Sequence, residues 1–399
     1  MTQLPVLSVL VQRDRFDPDD ELARLRAEQP ISRIDLPWGE PAWLVTRFED
    51  VRTVMGDAAR FANSAPLTTR ASDSTDETKS VSSAGSGLIG SYDPPEHTAL
   101  RRMLLPEFTA KRMRSLTPRI EAIVTEHLDA MAHGERPADL VQAFALPIPS
   151  LVICELLGVP YADRAAFQLR SAQRLDMAAS VEDRVRAVEE SRAYMAELVR
   201  QQRKQPGAAL IGRLISEHGA DIDDRELTGL ADLLLLAGHE TTANMLALGT
   251  LLLLLHPEQA RLMRERDDAV NDGVEELLRY LTVVNSGLPR IAQVDLELSG
   301  QQIKAGELLV CSLPAANRDD ELGRHIDEFD LTRKVATHVA FGHGIHHCLG
   351  APLARVEMRI AYPALLRRFP TLRLAVPVED VPFRVFSAVY GLEALPVTW

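Results

Sequence analysis

The sequence predicts a mainly α fold with a smaller β region. Helical periodicity runs with few breaks from residue 93 to residue 280, and no internal repeat marks it. Segments that read as strands are short and fall early and late, at 31–46, 290–313 and 385–389. No linker-like stretch divides the 399 residues into halves that would each close a core, so 1–399 reads as a single domain.

Composition narrows the functional classes. Hydrophobic residues at 46% and charged residues at 25% are ordinary for a globular chain. A formal charge of −13 argues against broad nucleic-acid binding, which needs a basic footprint. Three cysteines at unrelated spacings argue against a disulfide framework and suit a reducing cytosol. The opening MTQLPVLSVLVQRDRFD reads as neither signal peptide nor membrane anchor, because its apolar part is short and broken by Pro5. The longest apolar run, 230–255, is interrupted by Gly238, His239, Glu240 and paired threonines, and reads as a buried core helix. A cytoplasmic chain that engages no membrane is expected.

Taken in order, residues 19–29 make a short amphipathic helix, 31–36 and 42–46 a strand pair, and 49–55 another helical turn or two. Residues 65–91 contain TTRASDSTDETKSVSSAGSG, with no apolar period. Loops of that length in a compact domain are usually functional, and a mobile substrate-access loop is expected there. Asp93-Pro94-Pro95-Glu96 reads as a helix start, with Asp as cap and proline in the first turn. Helices follow at 118–132, 138–157, 162–174 and 182–203, and PGAALIGRLIS opens a further one. Strands are expected at 290–297, 308–313 and 385–389.

Three stretches carry chemistry. The first is FGHGIHHCLG, 341–350, where Cys348 sits in a glycine-punctuated loop ahead of an apolar helix that begins near Pro352. Proximity to a helix N-terminus favours thiolate over thiol, which is what a soft metal centre requires. A zinc site with His343, His346 and His347 lacks a second ligand cluster. Cys154 and Cys311, in apolar runs, read as buried structural thiols. The second is LLLLAGHETTANM, where a Gly-x-Glu-Thr-Thr group interrupts an oily helix. Glycine there costs about 1 kcal/mol against alanine, and a buried carboxyl costs more unless partnered. Ala237 and Gly238 leave room beside the backbone for a small ligand, and the Thr241 hydroxyl can bond a carbonyl one turn back or release it. The third is Glu276 with Arg279, three apart on one helical face, as His97 and Arg101 are four apart on another.

The Cys348 loop resembles the haem-ligand loop of the cytochrome P-450 family, with Phe341, Gly342, Gly344, His346, Cys348 and Gly350 meeting the whole pattern. AGHETT matches the family's distal helix. By motif the resemblance spans residue 93 to the C-terminus, and the earlier segments agree by order and length. It implies a triangular fold with haem b (iron protoporphyrin IX) between the distal helix at 237–242 and the helix following Cys348, whose thiolate ligates the iron. It also implies that Phe341, Gly342 and Gly350 are cofactor-binding, and that His97, Arg101, Arg290 and His346 hold the propionates. Glu276 and Arg279 then form a buried scaffold network with Arg318, and Glu240 and Thr241 relay protons for O2 cleavage.

The implied activity is monooxygenation of a lipophilic small molecule, such as a secondary metabolite, by a monomer. The chain has no flavin or iron–sulfur signature, so electrons come from a ferredoxin and its reductase, for which Arg102, Lys111, Arg112 and Arg114 offer a basic dock. The substrate pocket is expected to draw on 88–91, 168–177, Leu233, Ala237, Thr241, 283–288 and 386–389, with Asn285 and Ser387 as polar anchors. Two rivals are weighed: a peroxide-driven haem peroxygenase, which would not need the acid–alcohol pair, and a catalytically silent haem protein that binds ligands or recruits partners.

Overall fold

The computed structural model describes residues 6–36, 41–63, 86–334 and 337–399. Helices dominate: α1 (Val6–Val11), α2 (Asp20–Glu28), α3 (Phe48–Gly56), α4 (Glu96–Leu104), α5 (Ala110–His133), α6 (Pro147–Leu157) and α7 (Arg164–Leu175) come first. Then follow α8 (Val181–Lys204), α9 (Leu210–His218), α10 (Asp224–Leu255), α11 (Pro257–Glu265), α12 (Asp267–Leu281), α13 (Leu313–Ala316) and α14 (Ala351–Arg368). The largest sheet uses β1 (Ile31–Asp35), β2 (Pro41–Val45), β3 (Phe61–Ala62), β4 (Leu288–Ala292) and β5 (Leu308–Cys311), in the order β1-β2-β5-β4-β3. By contacts the chain divides into two compact units.

The first unit comprises Met1–Thr75, Glu265–Leu349 and Phe383–Gly391. Its sheet is antiparallel except where β5 runs parallel to β2, pairing Leu309 with Trp43. Leu309 also faces Arg290 of β4, and Ala62 of β3 faces Ile291. One face of the sheet packs on α3, so Trp43, Val51, Met55, Phe61, Leu309 and Cys311 share one core. Side chains buried to this extent contribute about 1.5–3 kcal/mol each.

The second unit comprises Asp76–Arg264, Gly350–Pro382 and Leu392–Trp399. Its spine is α10, 32 residues and therefore about 48 Å long. The Asp223 side chain caps it by accepting from Glu226 N at 2.7 Å. Around it pack α6, α8 and α14. Buried Asp232 on α10 accepts from Arg174 of α7 at 3.0 Å and from Ser191 of α8 at 2.5 Å, which ties three helices at one carboxylate. At Gly249 any side chain would meet the Tyr362 hydroxyl at 2.1 Å, and that hydroxyl donates to Met245 O at 2.5 Å. The glycine is there to let α14 reach the backbone of α10.

The structure departs from sequence expectation at several boundaries. The helix expected at 118–132 begins at Ala110, with Pro118 inside it. A buried face of Met113, Ile120, Ile123, Val124, Leu128 and Met131 outweighs the roughly 3 kcal/mol that an interior proline costs. The helix expected at 138–157 is a short strand (Ala138–Asp139), a π-helical turn (Val141–Ala145) and α6. The helix expected to start at Asp93 is α4, which begins at Glu96 with Pro95 in the cap position, and the Asp93 carbonyl accepts from His97 N at 3.0 Å. The strand expected at 290–297 is β4 plus a separate Leu296–Leu298, and that at 308–313 stops at Cys311, where α13 takes over. No strand forms at 385–389, where Val389 makes a single bridge to Val284. Of the expected access loop, 65–85 lie outside the described residues, and 86–91 end in a 3₁₀ turn, Ile89–Ser91.

Candidate active site

Unit 1 carries the cysteine loop. Cys348 N donates to Phe341 O at 2.8 Å, closing the loop, and Gly342 N donates to Val339 O at 2.8 Å. Gly344 has φ +71°, and a Cβ there would lie 2.3 Å from Met55 O, so only glycine lets this loop seat on α3. Gly342 is buried with φ +73°, and the half-buried Phe341 ring stands 6.2 Å from His347. Held this way, Cys348 is exposed, whereas Cys154 and Cys311 are buried and burial pushes each thiol up to about 12. The two buried thiols read as inert. The three loop histidines are engaged separately: His343 lies against Gly56, His346 faces Asn63 and His347 packs near Phe341.

Asn63, which sequence reasoning missed, joins two of the expected side chains. Its Oδ1 accepts from Arg290 Nη1 at 3.1 Å, and its Nδ2 stands 3.0 Å from His346 Nε2. The β3–β4 register that pairs Ala62 with Ile291 sets Asn63 opposite Arg290. Arg290 is buried, and donates also to Pro289 O at 2.7 Å.

The expected scaffold pair is present, with one correction. Arg279 holds Glu276 through two bonds, Nε to Oε2 at 2.7 Å and Nη2 to Oε1 at 2.8 Å, and both side chains are fully buried. Its Nη1 donates to Asn317 O and Ile326 O. The further arginine on Glu276 is Arg333, at 3.3 Å, not Arg318. Arg318 stacks over the Tyr280 ring at 3.7 Å and donates to Asp17 Oδ1 at 2.9 Å. The expected polar anchor Asn285 is likewise spent on the fold: it donates to Val11 O at 2.6 Å and accepts from Arg13 Nε at 3.0 Å.

Unit 2 carries the acid and the alcohol. Most of α10 from Ala243 to Leu253 is buried, yet Ala237 is exposed and Leu233 and Thr241 only half-buried. These are four apart, so one stripe of a core helix is left open. Thr241 Oγ1 donates to Ala237 O at 2.9 Å, which is the bonded one of the two states open to it. Gly238 does not add to the opening: Ile153 of α6 fills its place, 2.6 Å from where a Cβ would stand. Glu240 is buried, with His239 Nε2 3.5 Å from its Oε1. His239 was not singled out by sequence reasoning; its Nδ1 sits 2.6 Å from Leu235 O, and its ring meets Phe167 edge-on. On α4, His97 is buried and Arg101 half-buried one turn on. Gly350 is the N-cap residue of α14 with Pro352 in the first turn, as expected.

The family model described as Cytochrome P-450 matches residues 167–383. The chain is 46% identical over 396 residues to cytochrome P-450 FAS1 of Rhodococcoides fascians, covering 98% of each chain. The chain belongs to the cytochrome P-450 family. It is also 43% identical to pentalenic acid synthase of Streptomyces avermitilis, over 96% of this chain and 95% of that one. The crystal structure of mycinamicin VIII C21 methyl hydroxylase MycCI from Micromonospora griseorubida superposes with a TM-score of 0.90 at 36% identity, covering 100% of both chains. As a cytochrome P-450 the protein is a haem-dependent oxidoreductase of the monooxygenase class, and the mainly α fold agrees with the expectation. No helix among the described residues is long and apolar enough to cross a membrane.

The cytochrome P-450 also buries an acid that sequence reasoning passed over. Glu357 on α14 is buried, its Oε2 makes no hydrogen bond among the described residues, and burial holds its carboxyl well above the usual range. Above pH 4.5 the folded chain therefore binds a proton that the unfolded chain has released, so this group's contribution is complete below about pH 4.5 and declines as pH rises toward the folded pKa. Glu357→Gln, which cannot ionise, should flatten that decline. Urea unfolding at pH 5 and pH 8 checks this: the stability lost between the two pH values should be smaller in the variant than in the unmodified chain.

Proposed function

We propose that this cytochrome P-450 inserts one atom of O2 into a lipophilic small molecule, with electrons from an external ferredoxin and reductase, in the cytoplasm. Two observations support the reading, one in each unit: an exposed, loop-held Cys348 thiol in the first, and in the second an open stripe of Leu233, Ala237 and Thr241 beside buried Glu240. The residues present suit haem b. Cys348 would ligate the iron, with Phe341, Gly342 and Gly350 against the macrocycle, while His97, Arg101, Arg290 and His346 supply donors for two carboxylates. When bound, the haem supplies dioxygen activation supported by the thiolate. The protein's own part is to place protons. Glu240 would hold one inside the helix, Thr241 Oγ1 would present one at the open stripe once its bond to Ala237 O is released, and the apolar residues around them would exclude bulk water.

Relatives named as pentalenic acid synthase and mycinamicin VIII hydroxylase support a secondary metabolite as the substrate class. Thr241→Ala removes the hydroxyl at a half-buried position. Product formed per electron consumed should drop strongly, by on the order of 10²-fold if the hydroxyl acts as a proton donor, with hydrogen peroxide appearing instead. An unchanged yield would favour the peroxide-driven or silent alternatives.

Of the basic residues expected to dock the ferredoxin, Arg112 is engaged by Glu107 at 3.3 Å, whereas Arg102, Lys111 and Arg114 are exposed. Reversing those three to Glu should slow reduction by ferredoxin about tenfold or more at low salt, with the deficit shrinking at high salt. Equal rates at low salt would remove this surface as the dock.

A further inference from the structure

Unit 2 contains a cleft of about 620 Å³ walled by α8, by the first turns of α10 and by the backbone at Ser86. It is far from the proposed chemistry: Thr228, at its base, lies 13 residues and so about 20 Å along α10 from Thr241. Arg192, Arg200 and Arg225 line it, in a chain whose net charge is −13. Among the described lining residues Asp224 is the one carboxylate, and it accepts from Arg203 Nε at 2.8 Å; Glu197 is paired with Arg200.

Two guanidinium groups are left over. Among the described residues Arg192 Nε is buried and makes no hydrogen bond, and its Nη2 makes a long contact to Ser86 O at 3.4 Å. Arg225 is exposed, with no ion pair or hydrogen bond among the described residues. Thr228, 8% exposed, lines the same space. Ala193, Ala196 and Gly229 make the remaining wall apolar. That wall is firm, because a Cβ on Gly229 would stand 1.9 Å from Ser86 O.

From this arrangement we infer that the cleft is a second ligand site, selective for an organic oxyanion: a carboxylate or phosphate monoester carried on a short apolar body. Guanidinium groups pair with such oxyanions through two parallel N–H donors. A volume of this order suits a molecule with an apolar portion rather than a bare inorganic ion.

The test uses the haem-loaded enzyme with its distal pocket filled by an azole, so that haem-side binding is blocked. Calorimetric titration with octyl phosphate, octanoate and octanol follows. At least one of the two anions should bind at one per chain, with octanol at least tenfold weaker; the tighter anion identifies the head group. Arg192→Gln with Arg225→Gln should weaken that binding tenfold or more. Arg225→Gln alone, at an exposed position, should weaken it measurably, and Arg261→Gln on α11 should not. Absence of binding by both anions with the azole present, octanol binding as tightly as the anions, or unchanged affinity in the double variant, would overturn the inference.

Discussion

Cys348→Ala is expected to abolish the strongly red-shifted absorption of the ferrous carbon monoxide complex, and with it substrate oxidation, while leaving the haem-free chain folded. Cys348 is exposed, so its loss creates no cavity, and surface replacements of this kind usually shift stability by less than about 0.5 kcal/mol. The loop is held by Gly342, Gly344 and the Cys348 N to Phe341 O bond, none of which needs the sulfur. Cys154→Ala and Cys311→Ala form the control. Each removes a buried side chain and should cost stability without touching the spectrum. A red-shifted band that persists in Cys348→Ala would remove thiolate ligation by this residue.

The second large effect is on stability. Arg279→Ala strands the buried Glu276 carboxylate, and Glu276→Ala strands the Arg279 guanidinium; each should cost about 3–5 kcal/mol. Against a total stability of about 5–15 kcal/mol, that is enough to leave much of the chain unfolded at 37 °C. The partners make a finer forecast possible. In double-mutant cycles Glu276 should couple to Arg333 by at least about 0.5 kcal/mol and to Arg318 by less, since only Arg333 bonds it. Urea midpoints of the single and double variants decide this, and equal coupling to both arginines would contradict the observed contacts.

Much of this molecule was legible where chemistry concentrates in a few consecutive residues. The cysteine loop announces itself because glycines and histidines surround a thiol that would otherwise be buried, and AGHETT does so because it breaks an oily helix. Contacts made by register and crossing angle were not legible. Asn63 meets Arg290 only because β3 pairs with β4 at Ala62 and Ile291, which no local pattern encodes. Gly238 looked like space reserved for a ligand, yet Ile153 from another helix fills it. Arg318 and Arg333 both follow Glu276 at large separations, and spacing could not tell which one reaches back.

The bridge at Asn63 settles how the two side chains it joins can act. A guanidinium only donates, so the amide must turn its oxygen to Arg290 and its NH2 to His346. The imidazole nitrogen facing that NH2 then has to carry a lone pair, which leaves the ring neutral with its one proton on Nδ1. Arg290 thus contributes full positive charge to its surroundings, whereas His346 contributes a directed dipole.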